Sequence, residues 1–511
     1  MLARVLSSSL MGIDPYLVEV EVNVEGQAFR YSTVGLPELA VRESKDRVIS
    51  AIKNSGFRFP PKAYTINLAP ADIKKEGSAF DLPIAIGILA ALGLVMHEDL
   101  DDYVLLGELS LDGTLRPVKG ALPCAVGVHA NKLKGLILPA QNAREAAVTG
   151  NIDVIPVNTL LEAILFLNGE KFIAPIVVDA QELFSQAQIY HVDMADVRGQ
   201  THVKRALEVA AAGGHNVLMI GPPGSGKTML AKRFPTILPQ MTMDEALETT
   251  KIHSIAGMLR TEGLVATRPF RSPHHTISDA ALVGGGRIPR PGEVSLAHHG
   301  VLFLDELPEF QKNVLEVLRQ PLENTEVTIS RASMSLTYPA NFILLSAMNP
   351  CPCGYSSDPR HECTCNSMSI QKYMAKISGP LLDRIDLHIE VPAIPFEALA
   401  AKQDGEPSGV VQKRVQKARD RQIHRFKREL HIHSNADMPP KMIRSLCIID
   451  TESAQLLKSA INNLGLSARA YDRILKVSRT IADLAECEDI QTEHLSEAIQ
   501  YRTLDRQLWM V

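Results

Sequence analysis

The sequence predicts an α/β protein in three parts: an α+β N-terminal domain, a parallel α/β core and a C-terminal helical domain. Residues 16–24 alternate apolar and polar side chains with a period of two, as half-buried strands do. Between residues 196 and 392, buried strand patterns alternate with helical ones, which is typical of a parallel sheet. Residues 393–511 carry mainly helical patterns.

The predicted domains are residues 1–172, 196–392 and 393–511, and residues 173–195 have the weaker periodicity of a linker. In the first domain we expect strands at 16–24, 63–68 and 135–138, and helices at 39–55 and 82–94. In the core, strands are expected at 216–220, 300–304 and 341–347. A second linker at 403–409 precedes helices at 410–430, 450–463, 468–485 and 492–501.

Composition excludes several classes of protein. The chain has 511 residues, of which 45% are hydrophobic and 22% charged, so it is not a disordered chain. At about 150 residues per domain, this length suggests about three domains. The net charge of −5 provides no general attraction for nucleic acid, so any such contact must use a local basic surface.

We expect a cytoplasmic protein without a membrane segment. The longest apolar run, residues 82–95, is shorter than the roughly 20 residues of a spanning helix. Residues 1–14 contain one basic residue and no sustained apolar stretch, so they do not resemble a secretion signal. Seven cysteines, an odd number, indicate a reducing compartment.

A phosphate-binding loop is predicted directly after the first core strand. It fits the pattern G-x-x-x-x-G-K-[ST] and consists of Gly221, Pro222, Pro223, Gly224, Ser225, Gly226, Lys227 and Thr228. In such a loop, backbone N–H groups surround the phosphates of ATP at a helix N-terminus. Lys227 would face the β- and γ-phosphates, and Thr228 would bind Mg²⁺. The alternative, a glycine-rich turn without a ligand, is disfavoured by the strand before it and the helix after it.

Three polar residues at strand ends complete the predicted site. Asp305 and Glu306 follow the buried strand VLFL, where Asp305 would help to hold Mg²⁺ and Glu306 would act as the general base. Asn349 follows the third core strand and could orient the attacking water, although an asparagine at a strand end is more often a turn residue. The adjacent acids could alternatively cap the next helix.

These motifs, together with LLDRID at residues 381–386, resemble AAA+ ATPases of the clade of magnesium chelatase and the MCM helicases. The hairpin-like segment EVTISRASMSLTYP contributes to that resemblance. The strings DVRGQTHVKRALEVAAAGGHNVLMIGPPGSGKT, RSPHHTISDAALVGGG and NPCPCGY resemble the ComM/YifB group over essentially the whole chain. The resemblance implies a hexameric DNA helicase that promotes branch migration in natural transformation, a recombination process, with ATP and Mg²⁺ as cofactors.

The resemblance also assigns two arginines to the ATP site. In such rings the nucleotide lies between subunits, and a neighbour supplies an arginine to the γ-phosphate. Arg384 matches this trans arginine finger, and Arg469 resembles the sensor-2 arginine, with Arg473 one turn later as the alternative. A surface ion pair is the ordinary role of a helical arginine.

Four cysteines close together predict a structural zinc site. Cys351, Cys353, Cys363 and Cys365 form two C-x-C pairs, which suit tetrahedral thiolate coordination of Zn²⁺ at about 2.3 Å. His361 could replace one thiol. The alternative is a set of loop cysteines without metal.

Basic residues in two places could contact single-stranded or branched DNA. One group flanks the Asp-Glu strand and by resemblance projects into the pore of a ring: Arg268, Arg271, Arg287, Arg290 and Arg331. Arginine contacts to phosphate would be independent of sequence and sensitive to salt. The other place, residues 411–430, is predicted to be a solvated helix face.

The N-terminal domain resembles the Lon protease fold through residues 67–82 and 107–118. The catalytic serine and lysine positions of that fold correspond to Ala79 and Leu122, and Ser78 and Lys119 are displaced from them. Without a suitably placed base a serine hydroxyl is not activated, so proteolysis is disfavoured. Besides the DNA motor, the motor subunit of a metal-inserting chelatase remains an alternative.

Overall fold

The computed structural model describes the chain except residues 27, 38, 74, 76, 96–99, 187–189, 260–262, 287–288, 332–333, 359, 394–404, 430–431 and 506–511. The chain divides into two compact units. The first consists of Met1–Gln188 and Met243–Ala266, and the second of Ile189–Thr242 and Thr267–Val511. Residues after 404 thus share a compact unit with the core, and the domain boundaries expected from the sequence remain predictions.

The first unit contains a seven-stranded sheet. The strands in this part of the chain are β1 (Leu2–Met11), β2 (Asp14–Glu25), β3 (Arg30–Val34), β4 (Ala63–Ala69), β5 (Tyr103–Leu105), β6 (Glu108–Leu109), β7 (Leu115–Arg116), β8 (Gly135–Pro139) and β9 (Asp153–Val157). The helices are α1 (Leu39–Asn54), α2 (Asp81–Ala91), α3 (Ala121–Ala130), α4 (Ala140–Ala147), α5 (Leu160–Leu167) and α6 (Ala180–Gln186), with a 3-10 turn at Leu100–Asp102.

The large sheet of the first unit is mixed, in the order β3-β4-β2-β1-β5-β8-β9. Neighbouring strands β4, β2 and β1 pair antiparallel, whereas the other pairs are parallel. In β2, Val18, Val20, Val22 and Val24 are buried and the residues between them are partly exposed, which confirms the predicted alternation. Helix α2 is buried on nearly every side, as its continuous apolar sequence predicts.

The second unit continues with short strands and many helices. Its strands are β10 (Val217–Ile220), β11 (Phe270–Arg271), β12 (Gly284–Gly285), β13 (Arg290–Pro291), β14 (Val301–Leu304), β15 (Glu326–Arg331), β16 (Met334–Pro339), β17 (Ile343–Met348) and β18 (Leu387–Glu390). From residue 201 onward the helices are α7 (Thr201–Gly213), α8 (Lys227–Arg233), α9 (Met243–Ala256), α10 (Asp279–Val283), α11 (Glu293–Leu296), α12 (Lys312–Val317), α13 (Arg319–Asn324), α14 (Ser367–Met374), α15 (Gly379–Leu382), α16 (Ser408–Arg425), α17 (Pro440–Leu446), α18 (Thr451–Leu464), α19 (Ala468–Leu484) and α20 (Thr492–Gln500). Short 3-10 turns lie at Met194–Asp196, Phe234–Ile237, Leu307–Glu309 and Asn435–Asp437.

A parallel sheet forms the centre of the second unit, in the order β11-β14-β17-β10-β18. The three core strands predicted from the sequence are β10, β14 and β17, and they lie next to each other in this sheet. Because the strands are parallel, their carboxyl ends lie along one edge, where ligands usually bind to such sheets. The sheet therefore brings the residues after all three strands to a common edge.

Helix α9 packs with the first unit, although it follows the P-loop helix in sequence. Its Ser254 hydroxyl donates a hydrogen bond to the buried carboxylate of Glu145. Glu145 also accepts from the backbone N–H of Leu122 at 3.1 Å, and burial raises the pKa of this carboxyl group. The long stretch between the P-loop and the Asp-Glu strand thus supplies an element to the first unit, which no sequence pattern indicated.

The remaining predicted elements are confirmed. Helices α16, α18, α19 and α20 lie where the C-terminal patterns place them, and β15 pairs antiparallel with β16 as the predicted hairpin. Apolar residues of these helices, including Val477 and Ile481, share one buried cluster with β10 and β14. Among the described residues, no helix is long and apolar enough to cross a membrane. The α/β fold with a parallel core and a helical C-terminal region is therefore confirmed.

Candidate active site

The predicted phosphate loop connects the fully buried strand β10 to helix α8. Gly226 has a φ of 89°, in the left-handed region, and α8 begins at Lys227. The ammonium group of Lys227 donates to the backbone oxygens of Gly221 at 2.8 Å and Pro222 at 2.9 Å. Burial lowers the pKa of Lys227. The lysine side chain is therefore folded over the loop that the sequence assigns to the phosphates.

The two predicted magnesium ligands are in contact. Thr228 lies in the first turn of α8, and Asp305 follows β14. The Thr228 hydroxyl donates to Asp305 Oδ2 at 2.6 Å. Hydroxyl and carboxylate oxygens are ligands that Mg²⁺ accepts alongside phosphate oxygens. The residues present thus fit a magnesium ion bound with ATP.

Glu306 adopts an unusual backbone conformation beside this pair. Its φ of 54° and ψ of 48° are left-handed, which is uncommon for a residue other than glycine and clusters at functional sites. The side chain is 57% exposed, and its Oε2 lies 3.4 Å from His275 Nδ1. The sequence predicted a role for Glu306 but not its contact with His275, because no sequence pattern connects the two residues.

Two asparagines link the ends of the core strands. Asn349 follows β17, and its Oδ1 lies 3.3 Å from Lys227 Nζ, so the predicted residue does reach the loop.

Asn216 precedes β10 and was not predicted. Its side chain donates to the backbone oxygen of Arg384 at 3.0 Å and accepts from the backbone N–H of Leu344 at 2.8 Å. Asn216 thereby connects three neighbouring segments of the core.

Arg384 is buried between α15 and β18, with 7% of its surface exposed. Its guanidinium donates to the carboxylate of Glu323 and to the backbone oxygen of Pro380. Burial lowers the pKa of Arg384. Arg469 Nη2 lies 4.0 Å from the same Glu323 carboxylate, so the two arginines named by resemblance converge on one acid.

Arg473, the alternative to Arg469, has a different position. Its guanidinium binds the buried carboxylate of Asp386. Asp386 also accepts from the backbone N–H of Asn216 at 2.9 Å. The Arg469 side chain is 57% exposed, whereas that of Arg473 is 21% exposed. Of the two, Arg473 is held inside the unit and Arg469 faces solvent.

The four predicted cysteines form a cluster. The sulfur atoms of Cys351, Cys353, Cys363 and Cys365 all lie within 4.8 Å of one another. His361, by contrast, binds Asp358 at 3.0 Å. The donor set therefore fits zinc with four sulfur ligands, without the histidine.

Among the arginines proposed to bind DNA, some are bound to groups of their own unit and others are exposed. Arg271 makes a bidentate ion pair with Glu293 at 2.6 and 2.8 Å, and Arg268 donates to backbone oxygens of Pro239 and His299. Arg290 on β13 and Arg331 on β15 are exposed. Strands β12 and β13 pair antiparallel as a second hairpin. A Cβ atom built on Gly285 of β12 would lie 3.2 Å from Arg331 Nη2, so this hairpin adjoins the β15-β16 hairpin. Arg287 lies outside the described residues.

In the first unit, the displaced serine and lysine have separate partners. Ser78 donates to the carboxylate of Glu108, and the Lys119 side chain lies against Gly257. Leu122 is buried at the start of α3. The absence of proteolytic activity in this unit remains a prediction from the sequence.

The second unit has a P-loop beside acidic residues at a strand end, on a parallel α/β core with a helical C-terminal region. These features define it as an AAA+ nucleotide-binding unit. Family models describe this in more detail. "Magnesium chelatase, subunit ChlI" matches residues 193–399, "Subunit ChlI of Mg-chelatase" matches residues 20–142, and "Magnesium chelatase, subunit ChlI C-terminal" matches residues 405–502.

Relatives extend over nearly the whole chain. The competence protein ComM of Haemophilus influenzae is 45% identical over 99% of this chain and 98% of its own length. YifB of Escherichia coli is 44% identical over the same shares of both chains. The magnesium-chelatase 67 kDa subunit of Chlorobaculum parvum is 27% identical over 31% of this chain and 23% of its own. The chain belongs to the ComM/YifB family of magnesium chelatase-like proteins, as the sequence motifs predicted.

Proposed function

We propose that this protein is an ATPase whose homo-hexameric ring couples ATP hydrolysis to translocation on DNA. The cellular role would be branch migration in homologous recombination and natural transformation, in the cytoplasm. The observation that carries the ATPase proposal is the contact between Thr228 and Asp305 at 2.6 Å, directly beside Lys227. The name of the 45% identical relative, a competence protein, supports the connection to transformation.

The roles of the residues follow from their positions. Lys227 would exchange its bonds to the loop carbonyls for bonds to the β- and γ-phosphates. Thr228 and Asp305 would hold Mg²⁺, which neutralises charge developing on the phosphate oxygens. Glu306 would accept the proton of the attacking water, and Asn349 would orient that water.

Arg384 would act on the nucleotide of a neighbouring subunit, and Arg469 would be the sensor-2 arginine of the ATP site. Arg384 and Arg469 both approach Glu323, which supplies a negative charge where no phosphate is bound. To reach a γ-phosphate, the Arg384 guanidinium must leave Glu323. We therefore propose that Glu323 holds the arginine finger until a subunit interface with ATP forms.

The cysteine cluster would hold one structural Zn²⁺. Four sulfur atoms within 4.8 Å of one another match the ligand set of a closed tetrahedral site. Metal bound there would fix an irregular segment that is too short to form an apolar core of its own.

DNA would lie against the adjoining hairpins that carry Arg290 and Arg331, together with Arg287. Arg271 would support this surface through its ion pair with Glu293 rather than through phosphate contact. Arg290→Ala and Arg331→Ala should each weaken binding to any DNA sequence and reduce the slope of log affinity against log salt by about 1. Equal slopes for these variants and the parent protein would remove the hairpins from the DNA surface.

The decisive experiment is ATP turnover by the full chain with and without branched DNA, followed by strand exchange on the same substrate. We expect turnover that DNA stimulates and that Lys227→Ala abolishes, because the positive charge facing the phosphates is lost. Porphyrin metallation in place of DNA stimulation would favour the chelatase alternative. Cleavage of casein would favour the protease alternative.

A further inference from the structure

A single loop contacts both the P-loop and the cysteine cluster. It begins at Asn349, whose Oδ1 lies 3.3 Å from Lys227 Nζ. Two residues later, the buried Cys351 places its sulfur 3.3 Å from Cys353 and 3.7 Å from Cys363. The residue facing the nucleotide lysine and the first cysteine of the cluster are thus separated by one proline.

Gly354 provides the second contact between this loop and the P-loop. Its φ is +88°, and a Cβ atom built on it would lie 2.6 Å from Pro223 Cδ and 3.8 Å from Asn349 Cγ. Real Cβ atoms do not approach a neighbouring atom so closely, so only glycine fits here. The backbone of the cysteine loop therefore rests directly on Pro223, inside the phosphate-binding motif.

The helix after the cluster returns to the same point. Helix α14 begins at Ser367, shortly after Cys365, and carries the buried Tyr373 close to the backbone of Asn349. Burial raises the pKa of Tyr373 to about 12, so the phenol stays protonated at neutral pH. The segment from Asn349 to Tyr373 thus begins beside the P-loop and ends close to its own first residue, with the four cysteines between.

We propose that the metal bound by the four cysteines sets the affinity of the P-loop for nucleotide. This inference rests on the zinc site and the ATP site proposed above. The described part of residues 351–365 contains turns and irregular backbone but no helix or strand, so the metal would be its main internal constraint. With metal bound, Gly354 supports Pro223 and Asn349 stays beside Lys227. Without it, both contacts loosen.

The test uses the full chain and a fluorescent ADP analogue. Nucleotide affinity is measured for zinc-loaded protein, for protein stripped by a chelator, and for stripped protein given zinc again. At metal sites, loss of an outer-shell partner typically lowers metal affinity or activity by about 10- to 100-fold. We expect stripping to weaken nucleotide binding about tenfold and zinc to restore it. Cys487→Ser, at a partly buried cysteine outside the cluster, should retain both zinc and affinity.

Gly354→Ala tests the contact between Gly354 and Pro223 without removing the metal ligands. Its methyl group would push against Pro223, so this variant should retain zinc, remain folded by circular dichroism and still bind nucleotide more weakly. Equal affinity of loaded and stripped protein would overturn the coupling and leave the zinc site standing, whereas absence of zinc would overturn the site itself. If stripping unfolds the chain, Gly354→Ala decides, because parental affinity in a folded, zinc-loaded variant would refute the coupling.

Discussion

Two regions of the second unit differ in the partners that their residues have. One is the nucleotide pocket, formed by Lys227, Thr228 and Asp305, and the other is the arginine cluster around Glu323. In the pocket, Thr228 already contacts Asp305, and Lys227 lies on the loop that it serves. In the cluster, the guanidinium of Arg384 is buried and bound to Glu323 and Pro380. In the pocket the predicted Mg²⁺ ligands contact each other, while in the cluster the guanidinium is bound by an acid of its own chain.

This difference has a physical basis. A buried guanidinium without a partner would be strongly destabilising, so an arginine that serves another subunit needs a substitute partner when that subunit is absent. The half-exposed Glu323 supplies this substitute. If Arg384 acts on a neighbour's nucleotide, as proposed, the residues that would bind ATP lie in one chain, whereas hydrolysis would depend on the assembly.

The largest expected effect is that of Arg384→Ala. Comparable arginine fingers contribute about 10³- to 10⁵-fold to turnover, so the variant should bind ATP almost normally and hydrolyse it very slowly. Binding is measured by equilibrium titration and turnover by phosphate release. Full DNA-stimulated turnover would exclude Arg384 as the finger and make Arg469 the next candidate.

Mixing Arg384→Ala with Lys227→Ala chains tests whether the arginine acts between subunits. At some interfaces, an intact P-loop from the first variant meets an intact arginine from the second. Part of the turnover should then return, unless hydrolysis needs several competent interfaces around the ring. An arginine acting within its own chain predicts no recovery, because every subunit would have a defective site.

Glu306→Gln should separate binding from chemistry inside the pocket. An amide cannot accept the proton of the attacking water, and general bases usually contribute about 10²- to 10⁴-fold. The variant should bind ATP with parental affinity, turn it over at least a hundred times more slowly, and keep assembled rings trapped with ATP. Hydrolysis at the parental rate would contradict the assignment of the base.

Separate substitutions of Arg469 and Arg473 test which of the two acts as the sensor-2 arginine. Arg473→Ala leaves the buried Asp386 without its guanidinium, so it should lower the free energy of unfolding by about 3 kcal/mol in urea denaturation. Arg469→Ala removes an exposed side chain and should leave stability nearly unchanged while reducing turnover. The reverse outcome, a stable Arg473→Ala protein with low turnover, would make Arg473 the sensor.

The smallest effect is expected for Glu323→Gln. Glu323 is half-exposed, and the amide oxygen of the variant can still accept a hydrogen bond from Arg384, so the guanidinium keeps a partner. We therefore expect a change of the size seen for partly exposed ion pairs, about 0.2–1 kcal/mol, which is at most about fivefold in an equilibrium. If Glu323 competes with phosphate for Arg384, the variant should show higher turnover at low protein concentration. Lower turnover at every concentration would instead mean that Glu323 positions the finger.

Much of the fold was predictable because it depends on local patterns. The alternation in β2, the apolar run of α2 and the spacing of the C-terminal helices each fit one period and matched the structure. Strand β1 was not predicted, since its middle contains consecutive serines. The structure buries Ser7, whose hydroxyl donates to the backbone oxygen of Leu105 at 2.9 Å. That partner lies on another strand and leaves no signal near residue 7.

The sequence by itself determined where the contiguous motifs lie and predicted their chemistry: the P-loop, the acids after β14 and the paired cysteines. These residues act through spacings that a strand, a turn or a helix start enforces locally. Tertiary structure alone decided that His275 lies beside Glu306, that Asn216 binds the backbone of Arg384, that α9 joins the first unit, and that Glu323 receives both arginines. Each of these contacts joins residues far apart in sequence. Such contacts depend on how whole elements are placed against each other, and no periodicity along the chain encodes that placement.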